Sequence, residues 1–154
     1  MLDLGAAPGS WTQFSASRVG PHGLVVAVDL SPMSSRPENA IVYTGDFYEP
    51  DVLQSIASHG PYNVLLSDAA PATTGNRSLD TTRSAAIAEH ALYLCGTMLC
   101  EGGHLVVKIF QGGEEQNLLK EFRRQFRTGR LFKPKACRAE SFETYLIGLD
   151  YRNS

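Results

Sequence analysis

The chain reads as an α/β protein built on a doubly wound, mostly parallel sheet of Rossmann-like type, with a last strand that enters antiparallel. Three observations predict this. Apolar runs alternate with helical patterns from one end to the other, which favours parallel strands joined by right-handed crossovers. Val25 to Val28, Val64 to Leu66 and Leu105 to Val107 are nearly continuous in hydrophobicity, as strands covered on both faces are. The run Thr144 to Leu149 follows another short extended segment rather than a helix, so it returns against its neighbour.

Taken in order, Met1-Leu2-Asp3-Leu4 is the end of a first strand that runs straight into a glycine turn. A central first strand normally has more length and something upstream covering it. The chain is therefore expected to lack an N-terminal helix and the start of that strand. Trp11 to Val19 reads as a helix, Val25 to Val28 as the second strand and Ile41 to Tyr43 as a shorter third. Asp51 to Ser58 is the next helix. The clearest helix runs from about Thr81 to Cys100, where Ala88, Ala91, Leu92, Cys95, Met98 and Leu99 form an apolar stripe. Asp80 or Thr81 is its expected cap, and Gly102-Gly103 its expected end. A further helix spans about Glu114 to Arg127.

A length of 154 residues gives one domain, 1–154, and 43% hydrophobic with 19% charged residues is ordinary for a globular protein. No run approaches the roughly 18 apolar residues of a membrane span, and the start lacks a basic n-region before an apolar stretch. A soluble, cytoplasmic protein with no membrane association is expected. Cys95, Cys100 and Cys137 are odd in number and lack C-x-x-C spacing, which suits buried or idle thiols in a reducing compartment. His22, His59, His90 and His104 do not cluster with cysteines or carboxylates at ligand spacing, so no metal site is expected.

The net charge of −2 argues by itself against a nucleic-acid binder, but its distribution says more. Lys120, Arg123, Arg124, Arg127, Arg130, Lys133, Lys135 and Arg138 fall in one short stretch, opposed only by Glu121. The plain reading is a solvated helix face. The sharper one is a phosphate-facing surface, with Lys120, Arg123, Arg124, Arg127 and Arg138 as candidate RNA contacts.

In a doubly wound sheet the ligand lies beyond the carboxyl ends of the strands. Gly5-Ala6-Ala7-Pro8-Gly9-Ser10-Trp11 follows the first strand and opens a helix, so small residues and free amides face that place. It is neither the G-x-G-x-x-G fingerprint nor a P-loop, and taken alone it is only a strand–turn–helix. Asp29 closes the second strand, where a carboxylate can accept both ribose hydroxyls of a nucleoside. Asp46 closes the third, placed to accept from an adenine amine. Each is an ordinary turn residue alone; together beside the turn they favour an adenosine-containing cofactor. Asp68 ends the fourth strand, Lys108 sits inside the fifth and Glu143 leads into the last. A lysine in an apolar strand is costly unless it is paired or needed. The three either converge over one crevice or form a buried ion pair that only fixes the fold.

The segments DLGAAPGSW, VAVDLSPM, GDF, LSDAAPATTG, VVKIFQG, KPKACRAES and ETYLIG run in order from Asp3 to Gly148. On these the chain resembles the FtsJ/RrmJ (RlmE) family of ribosomal RNA 2′-O-ribose methyltransferases, over essentially its whole length. The resemblance implies S-adenosyl-L-methionine as cofactor and ribosomal RNA or the large ribosomal subunit as partner, with a uridine near the peptidyl-transferase centre as acceptor. It implies a role in ribosomal RNA processing, and a monomer suffices. The family's Lys-Asp-Lys-Glu tetrad maps its last three members to Asp68, Lys108 and Glu143. Its first lysine, from a helix before the first strand, has no counterpart here. Cofactor contacts map to Gly9, Trp11, Asp29, Asp46 and Asp68, and Ser10 stands where the family often has glycine. By this resemblance Lys108 helps to deprotonate the ribose hydroxyl, a role the missing lysine would support and the two carboxylates oppose.

Rival acceptors fit less well. Amino-methylating enzymes carry Asp/Asn-Pro-Pro-aromatic after the fourth strand, where this chain has Asp68-Ala69-Ala70-Pro71. Cytosine C5 chemistry needs a cysteine at the crevice. A small-molecule O-methyltransferase leaves the basic stretch without a purpose, and a dehydrogenase lacks its glycine pattern. The alternative from another class is a non-catalytic RNA-binding or ribosome-assembly factor on the same fold.

Overall fold

The computed structural model describes residues 1–135 and 141–152. Its elements are β1 (Leu2–Leu4), α1 (Ser10–Val19), β2 (Val25–Asp29), β3 (Ala40–Thr44), α2 (Pro50–Ala57), β4 (Tyr62–Ser67), α3 (Arg77–Met98), β5 (Leu99–Phe110), α4 (Glu115–Gln125), β6 (Phe126–Phe132) and β7 (Glu143–Tyr151). The strands form one sheet in the order β3-β2-β1-β4-β5-β7-β6. Pairing is parallel from β3 to β5. β7 then runs antiparallel to both β5 and β6. The doubly wound reading and its antiparallel last strand therefore hold.

Strand alternation sorts the core into two layers. Leu2, Leu4, Val26, Val28, Leu65, Leu105, Val107, Ile109 and Leu146 turn to one face and meet α2, α3 and α4 through Ile56, Ala88, Leu92, Leu118 and Phe122. On the other face Val25 and Ala40 meet Ala16 of α1. Strand order reverses at β1, which has β2 on one side and β4 on the other. That reversal opens a crevice at the carboxyl ends of the strands.

Two boundaries differ from the sequence reading. α3 begins four residues earlier than expected, capped by Asn76, whose side chain accepts from the Leu79 amide at 3.2 Å. Asp80 is no cap. It lies buried and accepts from the amide and hydroxyl of Thr74, at 2.9 and 2.8 Å, pinning the preceding loop. At the other end Gly102-Gly103 does not stop the helix. α3 ends at Met98 and passes directly into β5, because Leu99 is buried and pairs with Tyr62. The register then shifts before Val64 pairs with His104, and Gly102, at φ 75°, supplies the left-handed backbone of that irregularity.

The basic stretch is likewise divided. α4 stops at Gln125, so Arg127 and Arg130 stand on β6. Asn76→Ala is expected to cost about 1 kcal/mol through loss of the α3 cap. Thermal melting should show a fall of about 2–4 °C. An unchanged melting temperature would mean that Asp80 and Thr74 alone hold the helix start.

Candidate functional site

The glycine turn after β1 hangs on β2: the amides of Gly5 and Ala6 both donate to the Val28 carbonyl, at 2.9 and 3.2 Å. Gly5 has φ 74°, and a Cβ there would fall 2.6 Å from the Ala69 Cα, so the turn and the loop after β4 touch backbone to backbone. Between them and the ends of β2 and β3 lies a cavity of about 510 Å³, walled by Gly5, Ala7, Asp29, Asp46, Asp68 and Lys108 among others. A larger hollow of about 660 Å³ lies elsewhere, around Ala16, Gly20, Pro21, Glu38 and Asn39. It holds none of these strand-end carboxylates, so the chemistry points to the first.

Each acid is held by backbone amides. Asp29 accepts from the Ala7 amide at 3.0 Å through one oxygen and from the Ser31 amide at 2.8 Å through the other. Asp46 accepts from the Tyr48 amide at 2.9 Å. Every carboxylate oxygen has a second acceptor site, so both acids remain able to take hydrogen bonds from a ligand. Leu30, Phe47 and Tyr48 add apolar wall between them. That combination of apolar faces with acids at separate strand ends fits the hydroxyls and amine of an adenosine moiety.

At the opposite wall Lys108 is 9% exposed, with its Nζ 3.4 Å from Asp68 Oδ1 and 3.6 Å from Glu143 Oε1. Register explains the meeting. Lys108 pairs with Tyr145 and Phe110 with Glu143, so Glu143 and Tyr145 lie two apart on β7 and share a face. Tyr145 donates from its hydroxyl to Asp68 Oδ1 at 3.0 Å and stacks on Trp11 at 5.7 Å between centroids. Sequence reasoning missed Tyr145 as a site residue. Its signal was available: it follows Glu143 by two in a strand.

The remaining candidates fall elsewhere. Gly9, at φ 121°, ends the turn outside the cavity wall, where a Cβ would come 2.9 Å from Met33 Cε. Trp11 faces a small apolar hollow with Val106, Phe132, Pro134, Tyr145 and Ile147, next to the lysine cluster rather than in the larger cavity. Lys120, Arg123, Arg124 and Arg127 are exposed but are not brought to the site. β6 runs from Phe126, level with Tyr151, to Phe132, level with Tyr145. Arg127 is thus five residues, about 17 Å, from the row that holds Lys108. Arg124 and Arg127 are also already paired, with Glu121 and Asp150. Arg138 and Cys137 lie outside the described residues. Cys95 is buried on the inner face of α3, and that burial pushes its thiol up to about 12.

Beneath the turn Asp3 is fully buried. Its Oδ2 accepts from the Thr12 hydroxyl at 2.6 Å, while Oδ1 has no partner. Burial pushes this carboxyl up to about 6. The Thr12 bond opposes the rise, and the charges of Asp68 and Asp29 add to it.

The family model for FtsJ-like methyltransferases matches residues 1–151. "Ribosomal RNA large subunit methyltransferase E" of Treponema denticola is 49% identical over 99% of this chain and 77% of its own length. The protein of the same name from Syntrophobacter fumaroxidans is 47% identical over 100% of this chain and 79% of its own. Among solved structures, a Plasmodium falciparum protein described as a ribosomal RNA methyltransferase superposes with TM-score 0.82 at 24% identity, over 97% of this chain and 85% of that one. Human methyltransferase-like protein 13, solved with S-adenosylhomocysteine, gives 0.70 at 17%, over 99% and 72%. Sheet order, crevice and these likenesses define a methyltransferase of the Rossmann-like class. The chain belongs to the FtsJ-like methyltransferase family.

Asp3 gives a pH test. Its folded-state value lies above that of an unfolded aspartate, so the folded chain binds the extra proton. The stability this contributes is complete below about pH 4 and is lost as pH rises through about 6. The difference is worth about 3 kcal/mol. Asp3→Asn is therefore expected to raise the melting temperature at pH 8 relative to the parent, with the gain shrinking at pH 5. A gain that does not depend on pH would refute a buried charge at this position.

Proposed function

We propose that this chain transfers a methyl group from S-adenosylmethionine to a ribose 2′-hydroxyl in ribosomal RNA, with a large-subunit uridine as acceptor. The observation that carries the reading is Lys108, held between Asp68 and Glu143 at the edge of a cavity whose far wall bears Asp29 and Asp46. The donor supplies a methyl group made electrophilic by its sulfonium. Asp29 and Asp46 accept from the ribose and adenine of that donor and hold it in one register, with Gly5 and Gly9 keeping the turn beneath it open.

A ribose hydroxyl is a weak nucleophile, so catalysis rests on aim and on handling one proton. Lys108 has three donors. Its ammonium lies within ion-pair reach of Asp68 and Glu143 and lines the cavity, where a donor to an entering oxygen stabilises alkoxide character as the new O–C bond forms and the methyl–sulfur bond breaks. Tyr145 fixes Asp68, so the amine has little freedom to turn away. The hydroxyl proton passes to a carboxylate of the three-residue cluster. The Glu143 side chain, 39% exposed against 10% for Lys108, is its route to solvent.

The direct experiment is methyl transfer from radiolabelled donor to large ribosomal subunits, followed by alkaline hydrolysis. A 2′-O-methyl group blocks cleavage at its own phosphate, so label is expected in an alkali-resistant dinucleotide. Label released on a base would overturn the ribose assignment. Lys108→Ala is expected to abolish turnover while leaving donor affinity within a few fold. Near-normal turnover in that variant would remove Lys108 from the mechanism.

Asp29→Ala and Asp46→Ala each remove a charge-assisted bond of about 1.5–3 kcal/mol. Calorimetry should show donor affinity about 10- to 100-fold weaker. The donor site is misplaced if neither variant binds less tightly.

A further inference from the structure

Resting on that RNA reading, we propose that Arg77 and Lys133 form the phosphate clamp of the mouth, in place of the arginines on α4 and β6. Both converge on Gln111. Arg77, in the first turn of α3, reaches the Gln111 carbonyl at 3.5 Å and lies over the Phe142 ring, 5.5 Å from its centroid. Lys133, just past β6, reaches the Gln111 side-chain oxygen at 3.5 Å and the Ser141 carbonyl at 2.6 Å. Gln111 in turn donates from its amide to the Phe142 carbonyl at 2.7 Å, one row beyond the Phe110–Glu143 pair. The two cations thus come from separate elements to the end of β5, three residues or about 10 Å along the strand from Lys108.

Among the described residues their charge is unspent. Both side chains are exposed, and the groups they meet, the Gln111 and Ser141 oxygens and the Phe142 ring, are uncharged. Among the described residues neither has a carboxylate within 4.0 Å, whereas Arg124 and Arg127 each have one. Arg77 also sits where the helix dipole disfavours a cation. A positive side chain there detracts from the helix, unless an anion comes to it. The Phe142 ring beneath the guanidinium holds its plane while leaving N–H groups for a phosphate. Phosphates flanking a ribose that has entered the mouth would pass between these two groups.

Affinity for a fluorescein-labelled single-stranded oligoribonucleotide, followed by anisotropy across a salt series, tests this with Arg77→Ala, Lys133→Ala, the double variant and Arg77→Lys. Each lost contact should flatten the slope of log affinity against log salt by about 0.7, and the double by about twice that. Arg77→Lys should restore most of the slope. KM for large ribosomal subunits should rise about tenfold or more in the double variant, with donor affinity within twofold. A parent slope retained in the double variant overturns the clamp. So does a fall in donor affinity and melting temperature that matches the fall in RNA affinity, since the pair would then be only a staple for residues 141 to 143. If the parent neither binds nor methylates RNA, the functional reading fails and the clamp with it. If the parent methylates subunits and the variants bind RNA as it does, the clamp alone fails.

Discussion

A cation buried in the middle of a β-sheet sets the terms for everything around it. Lys108 stands in β5 between strands that are otherwise apolar, and removing its charge from water is favourable only with compensating partners. Asp68 and Glu143 are those partners, and they come from opposite neighbours of β5. β4 delivers one from a parallel strand end, and β7 delivers the other from an antiparallel strand start. A parallel β7 would carry its first residue to the far end of the sheet. The reversal of the last strand is thus a requirement of the ion cluster, and the β5–β7 register follows from it.

The central parallel strands were legible because burial on both faces leaves a continuous apolar signature that turns interrupt; β6 was not, since its exposed Arg127 and Arg130 hide it among the helical cations. Lys108 was legible for the same reason: a charge is conspicuous where all else is aliphatic. The cap of α3 was not, since Asn76, Asp80 and Thr81 are all able N-terminal residues. Choosing among them depends on Thr74, which engages Asp80 from the loop. Gly102-Gly103 misled for a related cause. A glycine pair after an apolar stripe looks like a helix stop, yet the buried Leu99 already belongs to the sheet.

The basic stretch shows what composition cannot resolve. Eight cations within a short span read as one surface, but the span crosses a helix end and turns into β6. The reversal divides the described ones between α4, β6 and the residues just past it. Arg123 and Arg124 close the last turn of α4, where they complement the helix dipole, and Arg124 and Arg127 meet acids of their own. Lys133 belongs to the same stretch but emerges at the mouth. Arg77, far away in sequence, had no neighbouring charges to draw attention to it. Tertiary placement rather than local density separates structural cations from those free to meet an anion.

Charge also divides the site itself. Burial raises the Asp3 carboxyl most, and the charges of Asp68 and Asp29 add to the rise, so acids at these strand ends set up a negative field. Such a field favours a cationic occupant and repels phosphate. A sulfonium donor is cationic and the thioether left after transfer is not, so on the proposed reading these acids would favour the donor over the product. An RNA strand brought against this wall would meet repulsion, and a polyanion can approach only where cations outweigh the aspartates. Along the described rim that condition is met past the end of β5, beyond Glu143, where Arg77 and Lys133 stand without acids of their own. On the proposed reading the acidic cavity would take the charged donor and the basic rim the phosphate backbone, with Lys108 at the boundary between them.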